Sequence, residues 1–187
     1  LARNSRLPAA RALATAYVET MRGVPFVAVL FLANTMLPLF LPDGAAPDRM
    51  LRPLFAVVSF ASAYLCENVR GGLRAVPRGQ DEAARALGLP WRARMRLVVL
   101  PQALRAALPS IVGAAIGLFK DTTLVAAVGI FDFLHSVDVA VDDPKWAAAS
   151  VPATGYAFAA LVYFAFCFGM SRYAAGLEAR LDAGKAR

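Results

Sequence analysis

The sequence predicts an all-α fold, a polytopic transmembrane helical bundle, and three observations lead to it. Of 187 residues 59% are hydrophobic and only 18% charged, and the mean hydropathy is positive, outside the usual range of a soluble domain. The apolar residues fall in long uncharged runs, residues 24–41 over 18 positions and 151–171 over 21, each able to cross about 30 Å of hydrocarbon. Basic segments then alternate with neutral or acidic ones along the chain, as successive crossings of a membrane require. Four spans are expected, in a single transmembrane domain over residues 1–187.

Residues 1–22 read as a short basic helix leading into the first span, with Arg3, Arg6, Arg11 and Arg22 against Glu19 alone. The chain opens Leu-Ala-Arg without an initiator Met or a signal peptide, so the expectation is a fragment with at least one further span upstream. Residues 24–41 form the first crossing. Residues 53–66 form the second, extended through Glu67 to Arg70, whose long side chains can snorkel towards headgroups. Residues 106–119 begin the third, which continues past Lys120–Asp121 to residue 131. Residues 151–171 are the fourth.

Charge sets the orientation. Segment 70–105 carries eight arginines against Asp81 and Glu82, and the tail from Arg172 holds four basic and two acidic residues. Between spans, Asp43 and Asp48 balance Arg49 and Arg52, while Asp132, Asp138, Asp142 and Asp143 outnumber Lys145. Both visible termini and 70–105 are therefore expected in the cytoplasm, with 42–52 and 132–150 outside. The net charge of +7 is explained by this basic face and calls for no nucleic-acid partner. Cys66 and Cys167 lie in or beside spans, which argues against an extracellular disulfide framework.

The 70–105 insert reads as two short helices. Pro77 suits a first helical position, and Asp81 and Glu82 follow near the positive helix end. Gly88 permits termination, Pro90 can open the second helix over roughly residues 91–100, and Pro101 limits it. The expected product is a compact knob bent at Gly88, with Ala83, Ala84 and Leu87 exposed or lightly packed. A membrane-surface amphipathic helix held by lipid headgroups is the plainer reading.

Glu82-Ala83-Ala84, three residues, Gly88, nine residues, Val98, one residue and Leu100-Pro101 make a pattern that resembles the EAA loop of ABC-importer permeases, with Val98 where Ile is more usual. Residues Tyr17-Val18-Glu19, Arg22-Gly23-Val24-Pro25, Glu67-Asn68-Val69-Arg70-Gly71-Gly72-Leu73 and Lys120-Asp121-Thr122-Thr123-Leu124 extend the likeness to the polar-amino-acid subfamily. The Trp146 region and Phe168-Gly169-Met170-Ser171-Arg172-Tyr173 are similar to permeases of general L-amino-acid importers. The resemblance implies a multi-pass subunit of the bacterial inner (plasma) membrane that imports L-amino acids. Its implied partners are a cytosolic ABC ATPase dimer, a second permease subunit (identical or related), a periplasmic or extracellular amino-acid-binding protein, and membrane lipid. It implies that Glu82 makes the charged or capping contact in the ATPase cleft, Ala83 and Ala84 allow close approach, Leu87 belongs to the same surface, and Gly88 sets the bend. No GxxxxGK[ST] loop occurs, so ATP hydrolysis would belong to the partner, and no catalytic residue, metal or cofactor is implied for this chain.

Candidate pathway residues are Lys120 and Asp121, which lie roughly 20 Å into the third span if it stays helical from Ala106. Charges at that depth usually face a bundle interior or an aqueous cavity. Thr122 and Thr123 could bind freed backbone carbonyls or a zwitterionic solute. The alternatives are a structural ion pair or a helix end near the outer interface. Asn34, with Thr35, is a weaker pathway candidate that interhelical hydrogen bonding explains equally well. Glu67 and Arg70, three apart, could pair on one helix face. His135 lacks local metal-ligand partners and reads as a surface or packing residue. The competing functions are an ATP-independent secondary transporter or channel, which needs no docking knob, and a membrane scaffold. An intramembrane enzyme lacks a nucleophile–base set.

Overall fold

The computed structural model describes residues 7–42, 44–146 and 148–183. Arg3, Arg6, Asp43, Lys185 and Arg187, which the charge reading used, lie outside them, as do the side chains of Trp146 and Asp182. Among the described residues all regular structure is helical.

Helix α1 (Pro8–Gly23) begins on a proline and stops where Val24 turns extended ahead of Pro25. Its successor runs from Phe26 to Phe40 at 110° to it, as α2 (Phe26–Phe31), a π-helical turn (Leu32–Met36) and a 3-10 turn (Leu37–Phe40). The straight first span expected over residues 24–41 is therefore replaced by a broken helix. The cause is local: Pro25 holds the entry extended, Pro38 begins the tighter turn, and neither has an N–H to give the helical ladder. Fifteen helical residues rise only about 22 Å, short of a bilayer. Only α1 and this segment together make a crossing-length unit.

Asp48 starts α3 (Leu51–Ala75) by accepting from the Met50 amide at 2.8 Å. This helix has 25 residues, but Arg52, Glu67, Asn68 and Arg70 dilute its apolar run. After α4 (Arg78–Ala86), the helix Trp91–Val128 runs for 38 residues without a stop. It comprises α5 (Trp91–Arg94), a π turn (Met95–Val99), α6 (Leu100–Asp121) and a 3-10 segment (Thr122–Val128). Pro101 does not end the second helix of the insert. The π turn immediately before it re-routes the ladder, with the Leu100 amide bonding Met95, and so accommodates a residue that has no amide of its own. At 1.5 Å per residue the helix is roughly 57 Å long, nearly twice the hydrocarbon thickness. Its basic first third therefore projects beyond the apolar layer.

A nine-residue helix, α7 (Phe133–Val141), occupies part of the expected external connection. Asp132 caps it, its carboxylate accepting from the His135 amide at 2.9 Å. Last comes α8 (Val151–Ala183). Length and composition qualify Trp91–Val128 and Val151–Arg180 as spans, with the bent pair as a third. The fourth expected span, α3, is long enough but too polar to meet the same standard.

Two compact units form, one from residues 1–63 and 117–168, the other from 64–116 and 169–187. In the first, Leu30 is fully buried among Phe26, Val29, Ala33, Ala56 and Val128, with the Phe26 and Phe60 rings 4.8 Å apart. In the second, Gly72 of α3 lies against Ala103 and Ala107 of α6 so closely that a Cβ on it would strike the Ala103 carbonyl. One turn earlier Asn68 Nδ2 donates to the Ser110 carbonyl at 3.2 Å. Phe158, Leu161, Phe164, Phe166 and Phe168 of α8 are exposed, as expected for a surface met by lipid tails.

Candidate functional site

Segment 70–105 folds at its turn as the sequence leads one to expect. Gly88 takes φ +74°, the left-handed region that favours glycine, and closes α4. The Leu89 amide donates to Ala84 at 3.2 Å and the Gly88 amide to Arg85 at 2.8 Å, the paired bonds of a Schellman turn. Pro90 then starts α5 with an extended backbone. The result is a two-armed knob.

Its two faces differ. Glu82, Ala83, Ala86 and Leu87 are exposed, Leu87 at 81%, and Trp91 stands exposed across the turn. Ala84, expected with Ala83 and Leu87 to be exposed or lightly packed, is instead buried at 3%. The reason is periodicity: positions 81 and 84, three apart, share the side of α4 turned to its partner arm. Asp81 lies on that side. Its Oδ1 is 2.9 Å from Arg94 Nε and its Oδ2 is 2.7 Å from Arg85 Nη2. The Arg94 contact is coulombic, because the Nε–H does not point at the oxygen and makes no hydrogen bond. Gln102 Nε2 adds a second tie, donating to Gln80 Oε1 at 3.2 Å and to the Val98 carbonyl at 3.0 Å.

Lys120 and Asp121 end α6, where the helix tightens into its 3-10 segment. Lys120 is exposed and Asp121 half-buried, and no ion pair to either forms among the described residues. Consecutive positions project about 100° apart on a helix, so the two cannot readily meet each other. Thr122 and Thr123 spend their hydroxyls locally, donating to the Phe119 and Lys120 carbonyls at 2.7 and 2.9 Å. Asn34 sits in the π turn and donates through Nδ2 to the Val128 carbonyl at 3.2 Å, while its own carbonyl accepts from Arg52 Nη1 at 3.3 Å. Its Oδ1 is buried without a partner. That geometry makes Asn34 a tie between two segments of the first unit.

Elsewhere, Glu67 and Arg70 form their i,i+3 pair at 3.2 Å, and both cysteines are free. His135 packs edge-on to Phe131 and approaches Asp138 at 3.9 Å. Sequence reasoning missed the roles of Gly72 and Arg94, because what each touches is 31 or more residues away for Gly72 and 13 away across a turn for Arg94. Asp132 was read only for its charge, and its capping of α7 went unread.

Residues 1–183 match the binding-protein-dependent transport system inner membrane component family. The chain is 48% identical over 185 residues to the inner membrane amino-acid ABC transporter permease protein YhdY of Escherichia coli, covering 99% of this chain and 50% of that protein. It is 46% identical over 182 residues to the glutamate/glutamine/aspartate/asparagine transport system permease protein BztC of Rhodobacter capsulatus, covering 97% of this chain and 42% of that one. The chain thus spans about half the length of these two relatives or less. A crystal structure of an amino acid ABC transporter with histidines superposes with a TM-score of 0.83 at 28% identity, over 96% of this chain and 80% of that one. An all-helical, multi-pass transport component of the inner membrane accounts for the helices and the likenesses together, and the chain belongs to the binding-protein-dependent transport system inner membrane component family.

Proposed function

We propose that residues 1–187 act as a permease domain of an ATP-binding-cassette importer for L-amino acids. Segment 70–105 is its cytoplasmic coupling loop, and a separate ATPase dimer hydrolyses the ATP. The knob carries this reading: Glu82, Ala83 and Leu87 are presented outward on a short helix whose end is fixed by Gly88. A second permease subunit would complete the pathway, and an external binding protein would deliver the amino acid. Amino-acid transport in the names of the two relatives supports the substrate class. Purification of the full chain from membranes should recover an ATPase and a binding protein in fixed ratio, and the reconstituted assembly should drive uptake of L-glutamine only with ATP. Uptake driven by an ion gradient without ATP would overturn the reading.

The basic bias of 70–105 further supports a cytoplasmic knob. In a Cys66→Ser, Cys167→Ser background, an Arg92→Cys variant should react with an impermeant thiol reagent only after the membrane is opened. Reaction in intact cells would reverse the topology.

Asp121 is the candidate to tune the pathway. An acid at this depth, with no ion pair among the described residues, is costly unless water or a ligand meets it. Asp121→Asn is expected to leave assembly intact but shift competitive uptake among L-glutamate, L-glutamine and L-arginine by about tenfold, the loss of one charge-assisted contact. An unchanged substrate profile would remove Asp121, with Lys120, from the pathway.

A further inference from the structure

We infer that Asp81 is a positioning residue: through Arg94 it clasps α4 to the helix Trp91–Val128, so that the knob and the start of that helix move as one piece. The inference rests on the reading of the knob as the surface an ATPase meets, and goes beyond it by assigning the part that carries motion away from that surface.

Four observations converge on one face of α4. Asp81 reaches Arg94 at 2.9 Å, Gln80 accepts from Gln102 at 3.2 Å, Ala84 is buried, and the Schellman bonds fix the turn between the arms. Arg94 is the unusual member. Its side chain is 15% exposed, whereas Arg85, the other partner of Asp81, is 61% exposed. An exposed i,i+4 pair contributes little. A largely buried guanidinium is different: among the described residues Asp81 is the acid within ion-pair reach of Arg94, and without it the cation would lie covered and uncompensated. Arg94 also belongs to the continuous 38-residue helix, so a displacement of α4 passes through it directly into a transmembrane segment. Glu82, Ala83 and Leu87 point outward because the opposite side of α4 is held. Released from the clasp, α4 could roll about its turn while still offering the same residues to a partner.

The test compares Asp81→Asn, Arg94→Gln, Asp81→Glu and Arg85→Ala in the reconstituted assembly, with L-glutamine as the transported probe. Two quantities are read, ATPase retained through purification and glutamine moved per ATP hydrolysed. Asp81→Asn and Arg94→Gln should retain the ATPase yet lower glutamine moved per ATP about tenfold, because each leaves its largely covered partner charge uncompensated. Asp81→Glu should recover most of it, and Arg85→Ala should change it by no more than about twofold. A short bismaleimide joining cysteines introduced at Gln80 and Gln102 should restore coupling to Asp81→Asn, a rescue that a merely structural defect would not show. Should Asp81→Asn not insert, Arg94→Gln, which removes the charge from the other partner, provides the same comparison, and Arg94→Lys, which keeps a cation facing Asp81, should retain most of the coupling. An unchanged ratio in the charge-removing variants overturns the clasp. Loss of the ATPase from those variants also overturns it, by assigning Asp81 to the docking surface. If the unsubstituted chain itself retains no ATPase, the functional reading beneath the clasp is what fails.

Discussion

Gly88→Val should insert and fold in the membrane yet lose most transport coupled to ATP. Nothing lies within 4 Å of a Cβ built on Gly88, so the substitution meets no steric obstacle. What it meets is the backbone. At φ +74° an L-residue is disfavoured by roughly 1–2 kcal/mol, and β-branching adds to that. The cheapest relief is to abandon the left-handed turn and with it the two bonds from Leu89 and Gly88 that close α4. Glu82 and Leu87 would then be presented at another angle. Because the cost is conformational, the series should be graded: Gly88→Asn close to the parent, Gly88→Ala intermediate, Gly88→Val worst, since Asn tolerates this region and Val does not. Co-purification of the ATPase and substrate-stimulated hydrolysis in vesicles measure the series. Equal coupling in all three would separate the turn from function.

Replacing Gly72 should harm the fold itself. A Cβ there would strike the Ala103 carbonyl and come within 2.7 Å of Ala107 Cβ and 3.1 Å of its amide nitrogen. Backbone cannot rotate out of the way as a side chain can, so α3 and α6 would have to separate. Helices in lipid gain little from hiding apolar surface and depend on such close approach, which makes the seam of Asn68, Gly72, Ala103 and Ala107 important out of proportion to its size. Gly72→Ala should cost about 1–3 kcal/mol and Gly72→Leu should prevent a stable product. Adding Ala107→Gly should recover Gly72→Ala only in part, because the Ala103 carbonyl remains. The fraction staying monodisperse after stepwise heating in detergent reports each variant. Full recovery in the double substitution would place the obstruction at the Ala107 side chain instead.

Features that depend on neighbours in sequence were the legible ones. The Gly88 turn, Pro90 as the opening of the second arm and the helical character of nearly every apolar run follow from local rules. Pairing across sequence was not legible. Gly72 could be quoted as part of a motif, but its reason is a carbonyl 31 residues later. Asp81 read as a charge suited to a helix start, and its opposite number Arg94 was one of eight arginines in the segment. Prolines misled in both directions. Pro101 looked like a stop and is absorbed by a π turn, whereas Pro25, quoted only within a motif, and Pro38, not singled out, shape a broken helix. Lys120 and Asp121 were read as a possible pair, but among the described residues the two do not pair with each other.

A thiol at the tip of the knob tests the docking claim most directly. Leu87→Cys, in the Cys66→Ser, Cys167→Ser background, puts a reactive group at the most exposed large apolar side chain of segment 70–105. Treatment of membranes with a short thiol-and-amine cross-linker should join this position to a cytosolic ATPase subunit, more so with ATP present, while a cysteine at exposed Val139 on α7 gives no such product. An ATPase adduct at Val139, or none at Leu87 when the ATPase is present and transport is active, would contradict the account.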